Sequence, residues 1–282
     1  MSRRRPFVQC DVFSATPARG NALAVVLDGD DLDDATLRAF ALWTNLAETT
    51  FVLPPTDPAA DYRVRILTPR REMPFAGHPT LGTCAAWLHA GNTPREAGVV
   101  RQECGVGIVE IELGSEVPAF VAPPTRIETL SVDAFDAIAD ALALDRSHVV
   151  ATARLDNGPV WQVVELASAA DVLAVDSSRV RWPDFRPIGL IGRQSSGSDT
   201  DYEVRMLAPS SGMSEDPITG SLNAALAHWL AANGRLDADL VVAQGTSIGR
   251  DGRVYVSPDP HDASRVRIGG RTHILIEGTV VL

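Results

Sequence analysis

No lysine occurs in this chain of 282 residues; all 25 basic residues are arginine. That absence excludes a pyridoxal Schiff base, a P-loop lysine and any lysine nucleophile. Cysteine is scarce too: Cys10, Cys84 and Cys104 show no paired spacing. No disulfide framework is expected, and the usage fits a reducing cytoplasm. There is no apolar run of about 18 residues, so no membrane span is expected. Arg3, Arg4 and Arg5 lead into a strand-like segment rather than the apolar region of a signal peptide. A net charge of −11 argues against non-specific nucleic-acid binding. No G-x-G-x-x-G follows a strand, and Gly105-Val106-Gly107 lacks the helix that a dinucleotide site needs. His89, His148, His228, His261 and His273 have no metal-ligand spacing with cysteine or glutamate and read as structural or exposed. No cofactor and no metal are therefore expected.

What is present is repetition. Residues 61–69 read D-Y-R-V-R-I-L-T-P and residues 201–209 read D-Y-E-V-R-M-L-A-P, an offset of 140 (201 − 61). Met73 matches Met213 at that offset. Two residues are then gained, and Trp87 matches Trp229, and Gln102 matches Gln244, at 142 (229 − 87). Such self-similarity is read as two copies of one domain. The domains are expected at residues 1–125 and 126–282, around Pro118, Pro123 and Pro124, with the last strand able to pack back on the first domain. A duplicated protein has a natural site in the cleft between its copies.

Each half reads as strands around one apolar helix. Phe7–Val12, Ala22–Leu27, Glu48–Leu53, Tyr62–Thr68, Val99–Gln102 and Gly107–Leu113 have strand patterns. Asp33–Thr44 has Leu37, Phe40 and Ala41 at helical spacing behind aspartates that suit a helix start. Pro79–Ala90 is apolar all round and should be buried. In the second half, Val132–Ala143 and Gly220–Ala232 read as helices. Pro159–Glu165, Ile188–Gly192, Tyr202–Leu207, Val241–Gln244, Arg253–Ser257, Arg265–Ile268 and Ile274–Leu282 read as strands. The class is α+β, without the βαβ rhythm of a doubly wound sheet.

Two turns precede the alanine-rich helices: Phe75–Gly82 and Ser214–Ser221. Each sets small residues and a proline at a helix start, where backbone N–H groups and the dipole form an anion site. A carboxylate substrate held between the two N-termini fits this arrangement. Asp216, Thr219 and Ser221 would equally serve as plain helix caps. His78, between Gly77 and Pro79, sits where the dipole disfavours its cation, so it should be neutral and able to share a proton. A packed histidine bonded to a loop carbonyl is the alternative. Glu48 opens an apolar strand; a carboxylate near buried residues has a raised pKa and can act as general acid and base. An exposed strand-end glutamate is the alternative. The second half offers no matching glutamate, which points to one functional acid. The cysteines lie outside both turns and read as inert buried thiols.

Taken together, Asp11-Val12-Phe13, Gly20-Asn21, Asn45–Val52, Phe75–Gly82, Glu215–Ser221 and Gln244-Gly245 resemble the PhzF-like family, the phenazine-biosynthesis isomerases of the diaminopimelate epimerase-like fold. The resemblance spans the chain. It implies two pseudo-symmetric domains, each a barrel-like sheet around a central helix, a homodimer, and no cofactor. It maps the catalytic acid onto Glu48, the assisting residues onto His78 and Asp216, and substrate contacts onto Gly77, Thr219, Gly220 and Ser221. The implied reaction is isomerisation of trans-2,3-dihydro-3-hydroxyanthranilate, a small carboxylate. Relatives that epimerise amino acids carry a cysteine in each helix-start turn; here those places hold Ala76 and roughly Pro217 or Ile218. Two departures stand out. Ala47 occupies the place of a serine, and Gly249-Arg250-Asp251-Gly252 replaces the usual glycine-arginine-proline-serine. Rival readings are a cofactor-free amino-acid racemase or epimerase, an isomerase of another conjugated amino acid, and a binding protein that kept the cleft without turnover.

Overall fold

A computed structural model describes residues 2–114, 117–210, 212–260, 262 and 264–282. Among them no helix is long and apolar enough to cross a membrane. The chain forms two compact units, Met1–Pro123 with Ile268–Leu282, and Pro124–Arg267.

The first unit contains β1 (Arg4–Val12), β2 (Asn21–Val26), α1 (Asp34–Thr44), β3 (Glu48–Leu53), β4 (Tyr62–Leu67), β5 (Glu72–Met73), α2 (Gly77–His89), β6 (Val99–Cys104), β7 (Gly107–Glu112) and β8 (Ala119–Val121). The C-terminal strand β18 (Thr272–Val281) pairs with β1. Antiparallel β1–β2 leads to parallel β2–β3, antiparallel β3–β4 and parallel β4–β6. Strands β7 and β8 follow antiparallel. This sheet curves around α2, which packs against β1, β2, β3, β6, β8 and β18. Ten of the thirteen residues of α2 are buried, so its lack of a polar face is what its position requires. Gly82 permits the closest approach: a Cβ there would lie 2.6 Å from Leu23 Cδ2 and 2.9 Å from Val12 Cγ2. The outer helix α1 covers a second cluster with Leu37, Phe40 and Ala41 against Val26, Phe51 and Leu67.

The second unit repeats this order. It holds β9 (Arg126–Glu128), α3 (Val132–Leu142), β10 (Val149–Asp156), β11 (Val160–Leu166), α4 (Ala169–Ala174), β12 (Ile188–Arg193), β13 (Tyr202–Leu207), β14 (Glu215–Asp216), α5 (Gly220–Ala232), β15 (Leu240–Gln244) and β16 (Gly252–Pro258). The chain leaves it through β17 (Val266–Gly269). Antiparallel β10–β11, parallel β11–β12, antiparallel β12–β13 and parallel β13–β15 reproduce the first unit's pattern. Strand β9 pairs with β10 as β18 pairs with β1. The C-terminal strand thus fills, in the first unit, the place that β9 fills in the second.

Register corrects the sequence matching. In the first unit Leu67 faces Glu72 and Ile66 faces Met73; in the second Leu207 faces Glu215 and Met206 faces Asp216. The second hairpin therefore gains three residues, and the offset from β5 to the helix start is 143 (215 − 72; 220 − 77). Met73 corresponds to Asp216, not to Met213. Trp87 is the eleventh residue of α2, whereas Trp229 is the tenth of α5. In the same register the counterpart of Ala76 is Thr219, not Pro217 or Ile218; each immediately precedes its helix. Six elements have no sequence expectation behind them: β5, β8, β9, β10, α4 and β14.

Candidate active site

In the first unit, the candidate residues are gathered by β2, β3 and α2. Strands β2 and β3 run parallel with Leu23 opposite Glu48, so Asn21 and Glu48 lie at the same ends of neighbouring strands. Helix α2 begins at Gly77, two residues earlier than its sequence pattern predicts, and His78 is its second residue. His78 Nε2 lies 3.4 Å from Glu48 Oε2, with side-chain exposures of 4% and 16%. The other ring nitrogen, Nδ1, is 3.3 Å from the amide nitrogen of Asn21. Burial drives the imidazole pKa down to about 3, so the ring is neutral at neutral pH. The expectation of a neutral histidine holds, with desolvation as the cause.

Glu48 has no acidic counterpart. Thr49 faces Leu67 and Ile188 faces Leu207, so the position before β12, Pro187, is the equivalent of Glu48. The backbone beside Glu48 is shielded: Ala47 is buried, and Thr49 is held by Thr44 Oγ1 at 2.7 Å.

In the second unit, the candidate residues surround the start of α5. Thr219 precedes the helix, but its hydroxyl makes no capping bond and donates instead to Asp216 Oδ2. Gln244 organises the turn. Its Nε2 donates to Thr219 Oγ1 at 3.0 Å, and its Oε1 accepts from Thr219 N at 3.0 Å and from Asn223 Nδ2 at 2.9 Å. The Thr219 hydroxyl is therefore an acceptor from Gln244 and a donor to Asp216, which fixes its rotor. Asp216, Thr219, Gly220 and Ser221 are all buried. The other α-helices are capped by side chains of Asp33, Ser131 and Ser168, whereas α2 and α5 have no side-chain cap. Plain capping therefore does not account for Thr219.

Gln102 performs the matching task in the first unit, donating to Thr80 Oγ1 at 3.0 Å and accepting from Tyr62 at 3.0 Å. Thr80 and Asn223 are each the fourth residue of their helix. The repeated glutamines were visible in the sequence; their common duty, tethering a helix start, was not. Asn21 was legible only as part of a turn.

Cys10 and Cys84 are buried, and burial pushes both thiols up to about 12, far from the thiolate that nucleophilic chemistry needs. Among the described residues no group of three or more His, Cys, Asp or Glu side chains is arranged to hold a metal ion. His261 lies outside the described residues.

Comparison with known proteins adds the following. A family profile described as phenazine biosynthesis-like protein matches residues 10–278. The protein "antisense-enhancing sequence 1" of Schizosaccharomyces pombe is 34% identical over 96% of this chain and 97% of its own. The trans-2,3-dihydro-3-hydroxyanthranilate isomerase of Pseudomonas fluorescens is 31% identical over 98% of this chain and 99% of its own. Among solved structures, a PhzF-family phenazine biosynthesis protein of Bacillus anthracis superposes with a TM-score of 0.83 at 23% identity, covering 99% and 100% of the two chains. A hydroxyproline epimerase of Agrobacterium vitis superposes with a TM-score of 0.70 at 13% identity, covering 99% and 93%. The fold is thus the α+β epimerase-like fold.

Proposed function

Since the chain belongs to the phenazine biosynthesis-like family, we propose that this isomerase moves a proton along a conjugated small amino or carboxylic acid, with trans-2,3-dihydro-3-hydroxyanthranilate as the leading substrate. The Pseudomonas fluorescens relative that carries this activity in its name supports the substrate class. The observation that carries the reading is the contact of Glu48 with a neutral, buried His78 at 3.4 Å.

In this reading Glu48 removes a proton from one carbon of the substrate. The C–H electron pair enters the π-system, a double bond shifts, and Glu48 returns the proton to a second carbon. Substrate and product have the same composition and charge, so no oxidant or co-reactant is consumed. One base suffices because both carbons present the same face. Neutral His78 donates a hydrogen bond without competing for the proton, as its depressed pKa requires. Asp216 is assigned as the assisting acid, and backbone amides at Gly77, Gly220 and Ser221, with Thr219, as contacts for the polar groups of the substrate. Activity without added metal or organic cofactor belongs to the same reading, as does a homodimer.

A racemase reading is disfavoured by the residues that precede the two helices. Ala76 and Thr219 replace the paired thiols that the epimerases use, and the cysteines present lie elsewhere; Cys10 and Cys84 are buried, whereas Cys104, expected to be buried, is only partly so. The test is turnover of trans-2,3-dihydro-3-hydroxyanthranilate by wild type and Glu48→Gln, in ordinary and heavy water. The wild type should give the shifted isomer, with solvent deuterium at the carbon that gains hydrogen when the shuttled proton exchanges. The glutamine variant should be slower by on the order of 10² to 10⁴. Near-normal turnover by Glu48→Gln would remove Glu48 from the mechanism. Loss of α-proton stereochemistry in an amino acid, without isomerisation, would replace the reading with racemisation.

A further inference from the structure

The turn between β1 and β2 is built to place one side chain. Asp11 is buried, and its Oδ2 accepts from Arg19 N at 3.1 Å and from Gly20 N at 2.9 Å. Gly20 admits no side chain: a Cβ would lie 2.2 Å from the Val12 carbonyl oxygen. Asn21 follows at once, paired with Val12 in the β1–β2 ladder, and is itself buried. Its amide nitrogen faces His78 Nδ1 at 3.3 Å.

An amide N–H is a donor only, so His78 Nδ1 must present its lone pair, and the neutral ring then carries its hydrogen on Nε2. That hydrogen lies on the side of the ring nearest Glu48 Oε2, 3.4 Å away, where a small adjustment would complete the hydrogen bond that neither atom makes as placed. The reverse amide orientation would set a carbonyl oxygen against Nδ1 and require Nδ1–H. It would then leave the Nε2 lone pair facing the Glu48 carboxylate. The observed orientation is the one that makes both ends of the ring attractive. The second unit uses a turn asparagine differently, at a position other than Pro159, the register counterpart of Asn21. There Asn157, in the turn between β10 and β11, donates to the backbone carbonyl of Ser221 at 2.8 Å. Ser221 and His78 are each the second residue of their helix. One unit uses a turn asparagine to hold backbone; the other uses one to orient an imidazole.

We propose that Asn21 is a positioning residue that locks His78 in the Nε2–H tautomer, so that the ring donates towards Glu48; the role rests on the reading of Glu48 as the proton carrier. Asn21 acts in this proposal through its contact with the ring. Its effect falls on kcat through the state of the imidazole, while KM, set by other contacts, stays nearly unchanged.

The experiment is ¹⁵N NMR of the intact protein labelled at histidine, with His78 assigned by the signal lost in His78→Gln. A hydrogen-bearing ring nitrogen and a bare one differ in ¹⁵N shift, so the tautomer is read without substrate. Wild type should show hydrogen on Nε2 and a bare Nδ1. In Asn21→Asp the new carboxylate accepts from Nδ1, so hydrogen should move to Nδ1 or occupy both nitrogens. In Asn21→Leu the lock is lost and the two tautomers should mix. Both variants should lose kcat on the order of 10- to 100-fold, as is typical of partners that orient a functional side chain. A wild-type ring with hydrogen on Nδ1, or an unchanged tautomer in both variants, would overturn the proposal. So would a switched tautomer with undiminished kcat. If no substrate is turned over by the wild type, the substrate reading fails, but the NMR arms still decide the tautomer. If Asn21→Leu does not fold, wild type and Asn21→Asp suffice.

Discussion

Arg205 and Glu215 form a buried copy of an ion pair that Arg65 and Glu72 make nearer the surface. In each, the guanidinium donates through Nε and Nη2 to the two carboxylate oxygens. The pairs occupy equivalent strand positions, but side-chain exposure is 2% and 0% in one and 26% and 34% in the other. The same pairing of atoms thus occurs in different solvent, with Arg65 also reaching Asp34 and Arg205 the carbonyls of Val172 and Val175. Removing one partner of a buried pair strands a charge at a cost of about 3–5 kcal/mol, whereas a solvated pair contributes about 0–1 kcal/mol. Glu215→Gln should therefore lower unfolding free energy severalfold more than Glu72→Gln in urea titrations. Ser247 Oγ also donates to Glu215 at 2.8 Å, which adds to the difference. Equal losses would show that burial does not set the energetics of these pairs.

The depressed pKa of His78 carries a pH dependence of definite sign. The folded ring titrates at about 3 and the unfolded one near 6.5. Between these values the unfolded chain binds a proton that the folded chain does not, so stability falls as pH drops from 6.5 towards 3. The slope from this one group approaches about 1.4 kcal/mol per pH unit. His78→Gln should remove that share and flatten the stability profile below about pH 6. Denaturant titrations of wild type and variant across the window read the difference directly. Parallel profiles would mean that His78 takes up its proton in the folded state.

Much of this organisation was legible in the sequence, and the failures have physical causes. Strands with branched or aromatic alternation, such as β3 and β13, lie where their patterns put them, and α5 has its expected bounds. Strand β10, V-V-A-T-A-R-L-D, was not legible, because alanines blur the alternation and most of its residues are only half-buried. Helix α4 spans six residues, too few for a helical period to register. The insertion is misplaced and undercounted in the sequence because Met213 mimics Met73, which moves it past the hairpin, and Trp229 mimics Trp87, which makes it two residues instead of three. Glu48 and His78 were each singled out, but their contact depends on a strand and a helix thirty residues apart in sequence (78 − 48) and could not be read locally. Asn21 looked like turn chemistry; its partner is visible only in three dimensions.

Gly82 offers a test of the packing around α2. In an ordinary helix interior, alanine is more favourable than glycine by about 0.5–1 kcal/mol. Here the added methyl group meets Leu23 Cδ2 at 2.6 Å, Val12 Cγ2 at 2.9 Å and Cys10 Sγ at 3.0 Å. All three belong to fully buried residues, and overpacking of this kind costs about 1–3 kcal/mol. The clash should outweigh the propensity gain, so Gly82→Ala should lower the melting temperature. A raised melting temperature would mean that the sheet yields around the helix more easily than its packing implies.

Ala47 bears on substrate choice. It is buried beside Glu48, with 5% exposure, where the resemblance expects a serine hydroxyl. A buried hydroxyl without a partner is destabilising, and one with a partner contributes about 1 kcal/mol. Ala47→Ser should therefore respond differently with and without substrate. In the free protein the hydroxyl should be neutral or slightly destabilising. With dihydro-hydroxyanthranilate bound, a new hydrogen bond should raise kcat/KM by about fivefold, which is what about 1 kcal/mol yields. The wild type should turn this compound over slowly, and a saturating substrate analogue should shift the melting temperature of Ala47→Ser more than that of wild type. A binding gain without a rate gain would assign the hydroxyl to ground-state affinity alone. A wild type that is already fast, and a serine variant that gains neither rate nor thermal shift, would show that Ala47 does not tune this site towards another substrate.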